Sequence, residues 1–277
     1  MIVQTMLATW VALTASLDAQ ERQKPIQPPP AWRIAPEVSH YRYREPGVMT
    51  NEGTLYGVVG SYTFYDRPET AGPAAGVPQE APVACSTFAF DGRIAAGQVD
   101  YDGSFMDGTP LSNSGIDDFL LDVRLLWGRH WEPARIVQAA YAGLGYRYLC
   151  DDSSGKPGGY QRESNYLYLP VGARKGFDLT GRWDLTLTGE LDMLLVGRQI
   201  SHLSDANPDL PDVRNWQWPG LGATLSADFL RRGPSWAVGF SPFLRYWWVD
   251  ESDLSADGYY EPRNNTFEYG LSFVVRF

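Results

Sequence analysis

The last twelve residues, TFEYGLSFVVRF (266–277), put Phe267, Tyr269, Leu271, Phe273, Val275 and Phe277 at odd positions. Glu268, Gly270, Ser272 and Arg276 take even ones. A period of two marks a strand with one apolar and one polar face. The alternation recurs upstream with turn residues between segments. It predicts ten strands, at about 34–45, 54–65, 85–100, 116–130, 136–151, 161–175, 183–200, 218–231, 236–250 and 263–277.

The faces sort by parity. In the seventh strand Trp183, Leu185, Leu187, Leu191, Met193 and Leu195 oppose Thr186, Thr188, Glu190, Asp192 and Arg198. In the fourth, Phe119, Leu121, Val123, Leu125 and Trp127 oppose Asp118, Asp122 and Arg124. The fifth sets Leu144, Tyr146 and Tyr148 against Gly143, Gly145 and Arg147. Connections alternate too. Long polar segments such as EPGVMTNEG, YDGSFMDGTPLSNSG and SHLSDANPDLPDVRN follow odd strands, and short ones such as KGFDLTGR and RRGPS follow even strands. The exception is a Pro/Gly/Ala-rich insertion at 66–84. Long outer loops, tight periplasmic turns and an even strand count are the pattern of an outer-membrane barrel.

Volume decides which face is inside. Ten strands of inward Trp, Phe, Tyr and Leu would overfill a small barrel. The aromatics are therefore expected to face lipid in two belts: Phe64, Phe88, Trp127, Trp183, Trp236 and Phe277 near the termini, and Tyr41, Tyr56, Phe119, Tyr148, Trp248 and Phe267 at the other end. The predicted fold class is all-β, a single ten-stranded antiparallel transmembrane β-barrel of outer-membrane type.

Composition narrows the picture. A net charge of −10 over 277 residues argues against nucleic acid as partner. No apolar run is long enough for a membrane helix. Residues 1–19, with the apolar core MLATWVALTA, read as a signal peptide, and 20–33 as a Pro-rich linker ahead of the barrel at 34–277. Cys85 and Cys150 fall at opposite ends of an apolar band of about 25 Å, too far apart for a disulfide, so two free thiols are expected. The three histidines lack metal-ligand spacing. No metal and no cofactor is expected.

Asp91, Arg93, Asp122, Arg124, Arg147, Glu190, Asp192, Arg245 and Glu268 fall on the inward parity at similar depth. Buried charges must pair, so they are expected to form a plug across a lumen narrower than a porin's. The alternative is the lining of a small passive pore. Carboxylates crowd the outer loops. Among them, Asp100 and Asp102 after the third strand, with His202 and Asp205 after the seventh, could activate a water if they met across a cleft.

The segments YREPGVM, YGVVGSYTFY, GQVDYDG, GLGYRYLCDDSSG, RESNYLYLPVG and SHLSD resemble a family of uncharacterised outer-membrane β-barrel proteins of Gram-negative bacteria. That resemblance implies location and fold. The ten-stranded pattern with Asp100-x-Asp102 is similar in architecture to the omptin proteases, in which an Asp pair and an Asp-x-His pair hold the attacking water. Here the Asp-x-His is missing, since His202 precedes Asp205, and the omptins' basic patches for lipopolysaccharide are not evident. The terminal Phe277 resembles the signature read by the barrel-assembly machinery. The reading is a monomeric, non-enzymatic surface or ligand-binding barrel in outer-membrane lipid, with an omptin-like protease or a small pore as alternatives.

Overall fold

The structure, a computed structural model, describes residues 32–66, 83–105, 107–132, 137–256 and 258–277. Among them run β1 (Trp32–Glu45), β2 (Met49–Asp66), β3 (Val83–Ser104), β4 (Pro110–Glu132), β5 (Ala139–Asp152), β6 (Gln161–Thr180), β7 (Trp183–Ser201), β8 (Val213–Gln217), β9 (Gly220–Arg232), β10 (Ala237–Val249) and β11 (Asn264–Arg276). Each strand lies antiparallel to its neighbours, and β1 closes on β11. The seam ends in a reciprocal backbone pair, Trp32 N to Phe277 O at 2.9 Å and Phe277 N to Trp32 O at 3.1 Å. Phe277 thus completes the ring of hydrogen bonds and leaves no sheet edge there.

The barrel has ten staves because β8 and β9 share one. β8 pairs with Gly197–Ser201 of β7, and β9 with Trp183–Met193. Side chains bridge the gap between β8 and the β10–β11 loop. Asn215 Nδ2 donates to the carbonyls of Tyr259 (3.1 Å) and Asp253 (3.3 Å), and Gln217 Nε2 donates to that of Asp250 (3.1 Å).

The apolar parity faces out. Trp127 is 65% exposed, and Trp32, Phe64, Trp183 and Phe277 join it at the end where β1 begins and β11 finishes, the terminal end of the barrel. Tyr56, Phe119, Trp216 and Trp218 stand toward the loop end, with Val38, Ile94, Leu125, Leu144 and Leu271 between the two groups. A closed antiparallel sheet with this outside and a charged inside is the architecture of an outer-membrane barrel.

Several expectations shift. β1 begins at Trp32, two residues inside the predicted linker; the signal peptide and residues 67–82 of the insertion lie outside the described residues. EPGVMTNEG is a tight turn at Glu45–Met49, with Gly47 at φ +81°, rather than a long loop. Most of YDGSFMDGTPLSNSG is strand, continuing β3 and β4 into a projecting hairpin. A β-bulge pairs Leu167 with Val196 but Tyr168 with Leu194, so Leu195 is the extra residue. One inserted residue inverts the alternation beyond it. Arg198 therefore faces outward, with Gly197 and Gln199 buried inside, the reverse of the simple parity count.

Two aromatic placements also change. Tyr41 is 2% exposed and points into the lumen. Trp236 lies in the β9–β10 turn and borders the cavity at the terminal end. Trp248, by contrast, is on the outward parity of β10 beside the buried Trp247. Cys85 and Cys150 are not joined in a disulfide.

Candidate functional site

The lumen is stacked in layers from the loop end to the terminal end. Outermost is a polar cap. Arg162 of β6 binds Glu45, Glu261 (3.0 Å) and the Tyr43 hydroxyl (3.1 Å). One guanidinium serves two carboxylates here. Burial, opposed by Arg162 and reinforced by Glu45, pushes the Glu261 carboxyl up to about 8.

Beneath the cap lies an apolar plug. Tyr41, Leu55, Val99, Leu120, Tyr166 and Trp247, from six strands, belong to one cluster of buried residues. Tyr166 stacks on Trp247 at 6.1 Å, and Tyr168 meets the same ring edge-on at 5.1 Å. Glycine makes room for such rings. A Cβ at Gly145 would collide with the Tyr168 ring, and one at Gly172 with the Tyr141 ring. Each ring is thereby laid across a bare neighbour, and its hydroxyl reaches an acid: Tyr168 donates to Asp122 (2.7 Å) and Tyr141 to Glu190 (2.8 Å).

The ionic belt follows. Arg93 donates through Nε to Glu37 (2.6 Å) and through Nη2 to Glu268 (2.6 Å). Arg245 holds Glu37 at 2.9 Å and lies 3.6 Å from Glu268; Arg147 lies 3.8 Å from Glu268. In a second group Arg124 joins Asp91 (2.9 Å) and Glu190. Buried guanidiniums and carboxylates hold each other because neither could be left alone at this depth. A cavity of about 150 Å³ runs among the belt residues, and one of about 350 Å³ lies on their terminal side.

All nine charges assigned to the lumen from the sequence, Asp91, Arg93, Asp122, Arg124, Arg147, Glu190, Asp192, Arg245 and Glu268, lie on inward parities. Six further inward charges were not among them: Glu37, Glu45, Arg162, Arg174, Asp228 and Arg276. Glu37 and Glu45 share odd parity with Tyr41 and Tyr43, and the volume rule sent that face outward. The plug is also not chiefly ionic, since aromatics fill the loop half.

The candidate catalytic residues do not converge. Val99 and Tyr101 face the lumen, so Asp100 and Asp102 between and beyond them point outward and are exposed. Asp100 accepts from Gly115 N (3.1 Å) at a β-bulge, and Asp102 from Ser112 Oγ (3.1 Å). These are hairpin contacts. His202 sits on the far flank between Glu163 (3.1 Å) and Asp212 (3.3 Å), and Asp205 accepts from Gln161 N (3.1 Å). Burial weakens the His202 imidazolium, but Glu163 and Asp212 outweigh it and raise its pKa. The hydrogen bond from Ser204 chiefly holds Asp212 low. Among the described residues no cleft is lined by both the aspartate pair and the histidine. Arg42, Arg44 and Arg214 are exposed on outward parities at the loop end.

No protein-family model and no curated protein matches the chain. Among solved structures it is similar to the transport unit of the autotransporter AIDA-I from Escherichia coli, at 9% identity and TM-score 0.39 over 98% of this chain and 97% of that one. It is also similar to the beta domain of the Bordetella autotransporter Brka (11%, 0.35, covering 89% and 99%) and to the NanC porin (10%, 0.25, covering 86% and 98%). These scores are low, and the barrel's own geometry carries the functional argument.

Proposed function

We propose that the chain is an integral outer-membrane barrel, inserted as a monomer with the start of β1 and the end of β11 toward the periplasm, and that it serves as a non-enzymatic surface or ligand-binding protein. The observation that carries this is the filled loop half of the lumen. A pore needs a continuous aqueous path, and buried rings occupy the place where one would run. The apolar outside supports lipid as its surroundings. The outward Asp100 and Asp102 weigh against the protease alternative.

The test is refolding into vesicles followed by planar-bilayer recording. The expected result is a protein that resists alkaline extraction and passes no steady current. Discrete, long-lived open channels would overturn the closed-lumen reading, and cleavage of a diverse peptide pool, lost in Asp100→Asn/Asp102→Asn, would restore the protease.

A further inference from the structure

The two cavities of the terminal half meet at a neck bordered on both sides by Thr63, Tyr141, Arg174 and Arg276. Arg33 of β1, Arg174 of β6 and Arg276 of β11 bring three guanidiniums to this level, while β9 supplies one carboxylate, Asp228. Asp228 binds Arg276 and lies 3.6 Å from Arg33. Arg174 makes no ion pair among the described residues; its guanidinium carbon stands 4.9 Å from the centre of the Tyr141 ring. The next carboxylates inward, Asp91 and Glu190, are held by Arg124. At the neck itself three arginines face Asp228 alone, and the cation without an ion pair among the described residues is Arg174; the chamber beyond adds Arg232, held by Asp178 (3.2 Å) and Asp184 (3.0 Å).

Deeper in the inner cavity the balance differs. Arg147 is 1% exposed with Nε and Nη2 unbonded, and Asp192 is 3% exposed with Oδ1 unbonded. That mixture of donors and an acceptor suits bound water. The neck instead offers surplus donors, with positive charge, beside an open chamber. Guanidinium forks from separate strands suit an oxyanion with several oxygens.

We propose that the neck is a binding site for a small phosphate-class anion, reached through the terminal-end chamber and contacted by Arg174 with Arg33 and Arg276. The ligand is a solute. A lipid headgroup would have to pass a closed wall, and the aromatic plug bars the approach from the loop end.

The test is titration of the refolded wild-type barrel with inorganic phosphate at low chloride, followed by isothermal calorimetry and ³¹P line width. Saturable one-to-one binding is expected, weakened about tenfold or more in Arg174→Gln, since a hydrogen bond to a charged group contributes about 1.5–3 kcal/mol. Arg174→Lys should retain part of it. Thr63→Trp keeps every arginine but fills the neck, and should abolish binding. Folding of each variant is checked by heat-modifiable gel mobility, and Thr63→Trp decides the matter if Arg174→Gln does not fold. Absence of saturable binding in the wild type, or unchanged binding in a folded Arg174→Gln or Thr63→Trp, overturns the site. A failure here leaves the closed-barrel reading standing, because that reading is tested by current rather than by phosphate.

Discussion

Replacing Arg93 by Met tests whether the ionic belt holds the barrel together. Arg93 spans two acids, donating to Glu37 at 2.6 Å and to Glu268 at 2.6 and 3.3 Å. The two losses are unequal. Glu37 keeps both hydrogen bonds from Arg245, at 2.9 and 3.1 Å. Glu268 keeps only Arg245 at 3.6 Å, Arg147 at 3.8 Å and the Ser39 hydroxyl at 3.4 Å. Removing one partner of a buried pair costs about 3–5 kcal/mol, and with Arg245 still in place the lower end, about 3 kcal/mol, is expected. The burden falls on Glu268. The double variant Arg93→Met/Glu268→Gln should therefore recover much of the loss, giving a coupling of about 2 kcal/mol or more. The assay is equilibrium urea unfolding in phosphocholine vesicles, followed by tryptophan fluorescence, across the double-mutant cycle. A cost below about 1 kcal/mol for Arg93→Met, or additive effects, would refute the idea that the belt is a coupled unit.

Three further outcomes follow from other layers. Gly145→Ala should push the Tyr168 ring off its seat and break its hydrogen bond to Asp122, costing about 1–3 kcal/mol in the same unfolding assay, whereas Gly181→Ala, with open space around it, should be close to neutral. Tyr166→Ala/Trp247→Ala removes two stacked rings from the plug and should turn a silent bilayer into a leaky one, if these rings are the barrier. His202 ties the segment after β7 to Glu163 and Asp212. Its folded pKa is raised, so the tie is fully present below about 6.5 and is lost as pH rises through the folded value. Asp212, lowered, keeps its share above its ordinary value and loses it only in stronger acid. Amide exchange of 203–212, corrected for intrinsic rates, should speed up on the alkaline side in the wild type but stay flat in His202→Gln.

The staves were legible because alternation over a dozen residues has one physical solution: a strand between an apolar and a polar medium. The closing role of β11, the outward Trp127 and Trp183, and the inward Arg93 and Glu268 all follow from parity. What parity lacks is a way to see an insertion. Leu195 adds one residue to β7 and carries Arg198 to the other face, and nothing in LDMLLVGRQIS marks the slip, because Leu194, Leu195 and Val196 are all apolar. The hairpin beyond Asp100 was misread for a related reason. Its Gly, Ser, Asn and Asp residues signal turns, yet β3 and β4 stay paired to Ser104 and Pro110, and only Gly115 at φ +65° takes up the bulge.

The volume rule failed more instructively. It holds that aromatics cannot fill a ten-stranded lumen, and for all of them together it is right. It does not forbid a minority from turning inward where the facing strand gives up its side chains. Gly145 and Gly172 do that, and each lies on the strand next to the tyrosine it admits. The small residues on the polar face of β5 therefore carry information that polarity alone hides: where that face shows glycine at every second position, a ring from the next strand is expected to lie across it. Tyr168 over Gly145 and Tyr141 over Gly172 form one such pair, each strand receiving the other's ring. The Tyr168 hydroxyl ties the aromatic plug to Asp122, and the Tyr141 hydroxyl ties the terminal side of the lumen to Glu190, so closing the lumen and placing its charges are a single structural problem in this barrel.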